Sequence, residues 1–347
     1  MKTLQEQTWD QERALYGSRG LHLVRCRFDG PADGESALKE CADITAEDCY
    51  FNLRYPLWHV HGLRLSGADM TELCRAALWY SDHIEIRDSR LHGIKALREC
   101  TDVAMQGCDV VSPEFGWSTH RLTLRDCTAE SEYFLLRASE IEAERLRMKG
   151  KYSFQYIENA LFENCTFDTK DAFWHARNVT VRNSTVKGEY LAWYCENVTF
   201  DHCRIIGTQP LCYCKGLRLI DCEMIDTDLA FEKSEVDATL TAPVLSIKNP
   251  RSGCIRVPAV GEIIRDDPES AGEILLHMDE KAAQTLFRPR RKRFCIVRDL
   301  ADLQRQRPGE ILPPKADHVG AGGEGQRPFP AAVPLQQHHR FPGAAGP

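Results

Sequence analysis

Between residues 149 and 232 of this chain, lysines, acids and tyrosines recur at matched intervals. Lys151, Lys170, Glu189, Thr208 and Thr227 are nineteen residues apart, and so are their followers Tyr152, Asp171, Tyr190, Gln209 and Asp228. If that period stacks equivalent residues, neighbours in each column lie about 5 Å apart. A lysine above a second lysine is pushed toward its neutral form, while a glutamate below pulls the other way, so Lys151 or Lys170 could titrate near neutrality and act as a base. Asp171 and Glu189 would approach the roughly 5 Å separation of a retaining glycosidase pair. Tyr152, Tyr190 and His175 could instead share proton transfer in a β-elimination. A solvated ladder of opposite charges and phenols would leave the same sequence, and that reading stays open. The candidate catalytic residues are Lys151, Lys170, Asp171, Glu189 and Tyr190.

Aromatic residues run beside them. Trp58, Trp79, Trp117, Trp174 and Trp193 share one position of the repeat, and His59, Tyr80, Tyr156, His175, Tyr194 and Tyr213 share the next. Stacked rings either pack a bend or offer a ring-shaped ligand a platform. Adjacent strand positions point opposite ways, so at least one column is expected to face solvent. The candidate binding residues are Tyr152, Tyr156, Trp174, His175, Trp193, Tyr194, Gln209, Tyr213 and Asp228, and the ligand considered is a saccharide.

The elements that must hold these columns follow from the pattern apolar-x-apolar-x-x-small. Its small position falls at Cys26, Cys49, Ala68, Ser89, Cys108, Cys127, Leu146, Cys165, Ser184, Cys203 and Cys222, with a constant spacing of nineteen after Ser89. The two apolar columns, Leu21 to Leu217 and Leu23 to Leu219, admit no polar residue. Alternation of period two marks a short strand with one buried face in every unit. Nineteen residues are too few for a helical pair, and the units lack a leucine-rich signature. The expected fold is all-β: a single-stranded, right-handed parallel β-helix of about twelve coils, the hand following the usual crossover preference.

Cysteine fits this scheme as a small, buried bend residue, and a second column holds Cys41, Cys100, Cys195 and Cys214. Most of the fifteen cysteines should then be free thiols. The run Cys212 to Cys214 is read as packing, since no paired C-x-x-C or histidine cluster completes a metal site. No cofactor is called for, and no P-loop, dinucleotide fingerprint, H-E-x-x-H or G-x-S-x-G is present. The loop "FDGPADGESALKE" reads as a turn built on Asp-Gly, with Asp33, Glu35, Ser36 and Lys39 as polar alternatives.

Residues 1 to 20 are expected to cap the helix as a strand or short helix, 21 to 265 to form the coils, and 266 to 287 to cap the far end. Residues 288 to 347 hold eleven Lys/Arg against five Asp/Glu and are rich in Pro and Gly, so they read as a disordered basic tail. The remainder carries a net charge of −13. Nucleic acid is not the expected partner. The N-terminus lacks an apolar signal core and no run approaches the roughly 18 apolar residues of a membrane span, which points to a cytoplasmic protein without membrane contact. Oligomeric state is not legible.

The coil pattern resembles the pectin-lyase-like superfamily. The phrases "ERALY", "DGESALKE", "FNLRYPLWH", "KGKYSFQY", "TKDAFWH", "KGEYLAWY", "GTQPLCYC" and "DLAFE" resemble an uncharacterised bacterial family of unknown function within it, over about residues 4 to 275. The resemblance implies the β-helix and assigns no catalytic residue. Other members of the superfamily are lyases, hydrolases and esterases of extended sugars, so a lyase or hydrolase site on the outer face of the later coils is one expectation. A non-catalytic scaffold binding carbohydrate or protein is the alternative.

Overall fold

In a computed structural model of the chain, residues 1–277 can be described. Among them every strand pair is parallel, and successive strands pair with the equivalent strand one coil on. The long ladder begins with Lys2–Gln5 against Arg19–Val24 and continues through Ala42–Glu47 and His61–Ser66 to Ser252–Val257 and Glu273–Leu276. A second ladder starts at Thr8–Trp9 against Arg27–Phe28 and includes Arg147–Gly150, Thr166–Thr169, Thr185–Lys187 and Arg204–Ile206. The result is a parallel β-helix of about fourteen turns.

That exceeds the twelve coils expected, because the first and last turns pair without the apolar pattern. The N-terminal segment is itself the first coil, Leu4 pairing with Leu23 and Trp9 with Phe28. The expected tail and the end of the expected C-terminal cap lie outside the described residues.

Both apolar columns are buried along their whole length, as is the small column. At several of the cysteines in that column the thiol donates to a carbonyl of the preceding coil: Cys203 Sγ to Val181 O at 3.2 Å and Cys222 Sγ to Phe200 O at 3.3 Å. Cys214 makes the same bond to the preceding coil, donating to Ala192 O at 2.9 Å, whereas Cys212 donates to Pro210 O within its own coil. Burial pushes the Cys49 thiol up to about 12 and the Cys41 thiol up to about 11.

The corners between strands use left-handed backbone at residue types that rarely adopt it. Phe154, Phe173, Ala192 and Leu211 form one such column, with φ from 55° to 64°, and their side chains are buried. Tyr156, His175, Tyr194 and Tyr213 form another, with φ from 56° to 60°. Each such residue costs about 1–2 kcal/mol, offset here by ring packing: Phe173 lies 4.7 Å from Phe154 and 6.3 Å from Phe200, centroid to centroid. Opposite charges one coil apart line the outer surface, Arg182 between Glu163 and Asp201 and Arg177 between Glu158 and Glu196. None of the helices among the described residues is long and apolar enough to cross a membrane.

Candidate functional site

The later coils place the nominated residues just after the second ladder, where the chain leaves Thr166–Thr169 and Thr185–Lys187. Glycine makes that exit possible. A Cβ on Gly207, whose φ is +133°, would stand 2.0 Å from the carbonyl oxygen of Gly188.

Main-chain bonds then fix the columns. Asp171 N–H donates to Glu189 O at 3.0 Å, Tyr190 N–H to Thr208 O at 3.1 Å, and Gln209 N–H to Asp228 O at 2.9 Å. One column is therefore Lys170, Glu189, Thr208 and Asp228, and the other is Asp171, Tyr190 and Gln209, left-handed with φ of 53°, 55° and 49°. This corrects the last coil, which is one residue longer than nineteen. Asp228 belongs beside Thr208, whose hydroxyl it accepts, and Leu229 takes the place assigned to it. Thr227 is fully buried and its Oγ1 has no partner among the described residues.

At the upper end the stack also breaks. Tyr152 N–H turns back to Glu132 O at 2.7 Å, and its ring stacks on Tyr133 at 4.9 Å. Tyr152 does not continue the left-handed column, so the coil changes cross-section between Lys151 and Lys170.

Electrostatics overturn the lysine base. Lys170 Nζ lies 2.9 Å from Glu189 Oε2, and that hydrogen bond holds its pKa above the usual lysine value. Lys151, 4.0 Å from Glu132, is raised too, chiefly by Tyr152 and then by Glu132. Neither lysine is drawn toward neutrality.

Asp171 behaves differently. Only 8% exposed, its carboxyl accepts no hydrogen bond among the described residues, and desolvation pushes its pKa up. Lys170 opposes that rise, Glu189 adds to it, and Lys151 opposes it more weakly. The carboxyl is thus a group poised to keep its proton longer than an ordinary aspartate.

The aromatic columns separate as expected, and the Tyr/His column is the one facing solvent. Tyr156 and Tyr194 are 45% and 44% exposed. Ring centroids run Tyr156 to His175 at 4.8 Å, His175 to Tyr194 at 5.1 Å and Tyr194 to Tyr213 at 4.9 Å, all within 12° of parallel. The faces between stacked rings are covered by their neighbours and Arg137 lies over Tyr156, which leaves mainly edges to the solvent and counts against a face-on sugar platform. Partial burial lowers the pKa of His175, and burial followed by Glu232 pushes Tyr213 up to about 12. The tryptophans are half-buried. Trp174 and Trp193 stack at 5.3 Å, and their indole N–H groups donate to Tyr190 O at 2.7 Å and Gln209 O at 2.8 Å.

Two features escaped the sequence. A groove of about 840 Å³ on the outer face of the long ladder is lined by Asp102, Arg121, Glu140, Glu142, Asn159 and Asn178 among others, and by none of the nominated residues. Its signal was the amide row Asn159, Asn178 and Asn197, joined by side-chain bonds of 3.0 and 3.3 Å. The second is Gln155, whose Nε2 donates to Asp171 O at 3.1 Å.

A family model matches residues 2–275. The chain belongs to the family described as "Protein of unknown function (DUF3737)". No curated protein matches it.

Among solved structures, this member of the family aligns with a tailspike protein of E. coli bacteriophage HK620 in complex with a hexasaccharide, at 11% identity over 78% of this chain and 65% of that one, with a TM-score of 0.43. The chain thus spans 65% of the tailspike structure's length. The Azotobacter vinelandii mannuronan C-5 epimerase AlgE4 A-module aligns at 12% identity over 74% of this chain and 86% of that one, TM-score 0.32. The catalytic domain of a GH87 alpha-1,3-glucanase in complex with tetrasaccharides aligns at 8% identity over 80% of this chain and 64% of that one, TM-score 0.29.

Proposed function

We propose that this family member is a carbohydrate-directed β-helix enzyme of hydrolase type, working on the outer face of its later coils, with Asp171 as the proton donor. The observation that carries the reading is the Asp171 carboxyl: on a residue only 8% exposed, accepting no hydrogen bond among the described residues, and raised by desolvation. A carboxylic acid that holds its proton is what cleavage of a glycosidic bond requires of its general acid. Asp171 gives its proton to the glycosidic oxygen as the bond to the anomeric carbon breaks. Water adds to that carbon, and its proton passes to the Glu189 carboxylate, which Lys170 holds at 2.9 Å. Exchange with solvent then returns a proton to Asp171 and takes up the one Glu189 received. Tyr190, Tyr194 and Tyr213 offer phenol edges, and Gln209 and Asp228 polar groups, along the same face. The ligand class rests on the resemblance of the coil pattern to the pectin-lyase-like superfamily.

A second reading, a non-catalytic scaffold that binds carbohydrate or protein, is favoured by how completely the ladders satisfy themselves. Lys170 is paired with Glu189, and the Tyr/His rings cover one another. A thermal-shift screen against neutral, uronic and amino oligosaccharides separates the two, because a ligand of the folded state raises Tm by linkage. The enzyme reading requires a stabilising oligosaccharide that is also cleaved, with cleavage lost in Asp171→Asn. A saccharide that stabilises the parent and is never cleaved supports the scaffold. Cleavage undiminished in both Asp171→Asn and Glu189→Gln removes the proposed site.

A further inference from the structure

Asp171 is left-handed at a corner, and such a corner holds its side-chain direction only if its peptide groups are pinned. Its N–H is taken by Glu189 O at 3.0 Å. Its carbonyl accepts from Gln155 Nε2 at 3.1 Å. Gln155 occupies the tryptophan position of its coil, and the bond it makes is the one the indoles make. Trp117 donates to Tyr133 O at 3.0 Å, Trp174 to Tyr190 O and Trp193 to Gln209 O, each to a carbonyl sixteen residues on.

The bond is not a general need of the coil. Leu136 holds the same position with no donor, and Trp79 Nε1 is buried without a partner among the described residues. In the later coils, by contrast, three successive donors, Gln155, Trp174 and Trp193, serve the three left-handed residues of the candidate site, Asp171, Tyr190 and Gln209.

We infer that Gln155 is a positioning residue for the site, its amide clamping the Asp171 carbonyl so that the carboxyl is held beside Lys170 and between the coils of Lys151 and Glu189. The inference rests on the reading of Asp171 as proton donor and extends it to a residue that touches no substrate. It also accounts for the residue type. Only a side chain with an N–H at the right reach can replace the indole, and glutamine does so at the coil where the cross-section changes. Once the clamp is lost the corner relaxes, the carboxyl moves toward solvent, and its desolvation falls.

The test is a titration of the full-length chain carrying 13Cγ-labelled aspartate, followed by NMR, with the Asp171 resonance assigned by its absence in Asp171→Asn. The parent is expected to show Asp171 titrating above the ordinary aspartate range. Gln155→Met, of similar length without a donor, is expected to move the midpoint down, and Gln155→Trp, which restores the N–H, to keep it with the parent. If the methionine variant does not fold, Gln155→Asn, too short to reach, takes its place with the same expectation. A midpoint unchanged in Gln155→Met or Gln155→Asn overturns the inference, as does a tryptophan variant that shifts with them. A merely structural role would lower Tm and leave the titration alone. The two readings fail separately: a shifted midpoint with no cleavage of any saccharide keeps the clamp and retires the hydrolase, and Asp171-dependent cleavage with an unshifted midpoint does the reverse.

Discussion

Gly207→Ala should be among the most damaging single-methyl additions in the chain. The new Cβ would lie 2.0 Å from the carbonyl oxygen and 2.7 Å from the carbonyl carbon of Gly188 in the adjacent coil, and neither can swing aside as a side-chain tip would. Overpacking of this kind costs about 1–3 kcal/mol. The backbone adds its own penalty, since φ of +133° is a region L residues avoid, at about 1–3 kcal/mol. Together the loss is about 2–6 kcal/mol, a large share of the roughly 5–15 kcal/mol typical of a folded domain. Gly17→Ala isolates the conformational part, because Gly17 has φ of +66° and a methyl group there would meet nothing within 4 Å, so it should cost only about 1–2 kcal/mol. Urea unfolding followed by far-UV circular dichroism, with both variants beside the parent, reads the difference. A Gly207→Ala midpoint no lower than that of Gly17→Ala would refute the close approach of the coils at the exit to the site.

Phe173→Ala should cost about 3–5 kcal/mol, since the ring is fully buried against Phe154, Phe162, Phe167 and Phe200; a loss below about 1 kcal/mol by the same unfolding assay would contradict that core. Asp171→Asn should raise Tm at pH 7. The folded-state pKa of Asp171 lies above its unfolded value, so the folded chain binds the extra proton and stability falls as pH rises through that window. Asparagine carries no such penalty, and the two melting curves should converge once the pH drops below the ordinary aspartate range. A variant less stable than the parent at pH 7 would contradict the desolvation argument. The buried thiols should resist a water-soluble disulfide reagent in the folded state and react on unfolding, which absorbance of the released thiolate follows. Fast labelling of Cys108 or Cys203 in the native chain, located by mass spectrometry, would show that the small column is open.

The strands were readable because a core column tolerates only apolar residues, and eleven coils repeat that demand, at a fixed interval of nineteen from Ser89 on. The site columns were only partly readable. Lys170 and Glu189 do meet, and Asp171 does lie beside them, since constant spacing carries register across those coils. Thr227 and Asp228 were misplaced because one inserted residue is absorbed at a polar corner, where composition imposes no periodic constraint. The corner geometry itself was hidden. Asparagine and glycine announce left-handed backbone, but Tyr156, His175 and Phe173 reach it through packing, which a propensity argument does not register. Ring stacking likewise favours one of the two readings the aromatic columns had left open, packing at a bend. Sequence counts rings, whereas the coil rise decides that their faces cover one another.

The most direct measurement is the rate of reducing-end release from an oligosaccharide that stabilises the chain, compared between the parent and Asp171→Asn at saturating substrate. Loss of a general acid lowers such rates by about 10²- to 10⁴-fold, and a fall of that size with the variant still folded and still binding is the expected result. Equal rates in the two proteins, or saturable binding with no release by the parent, would contradict the assignment of Asp171 as proton donor.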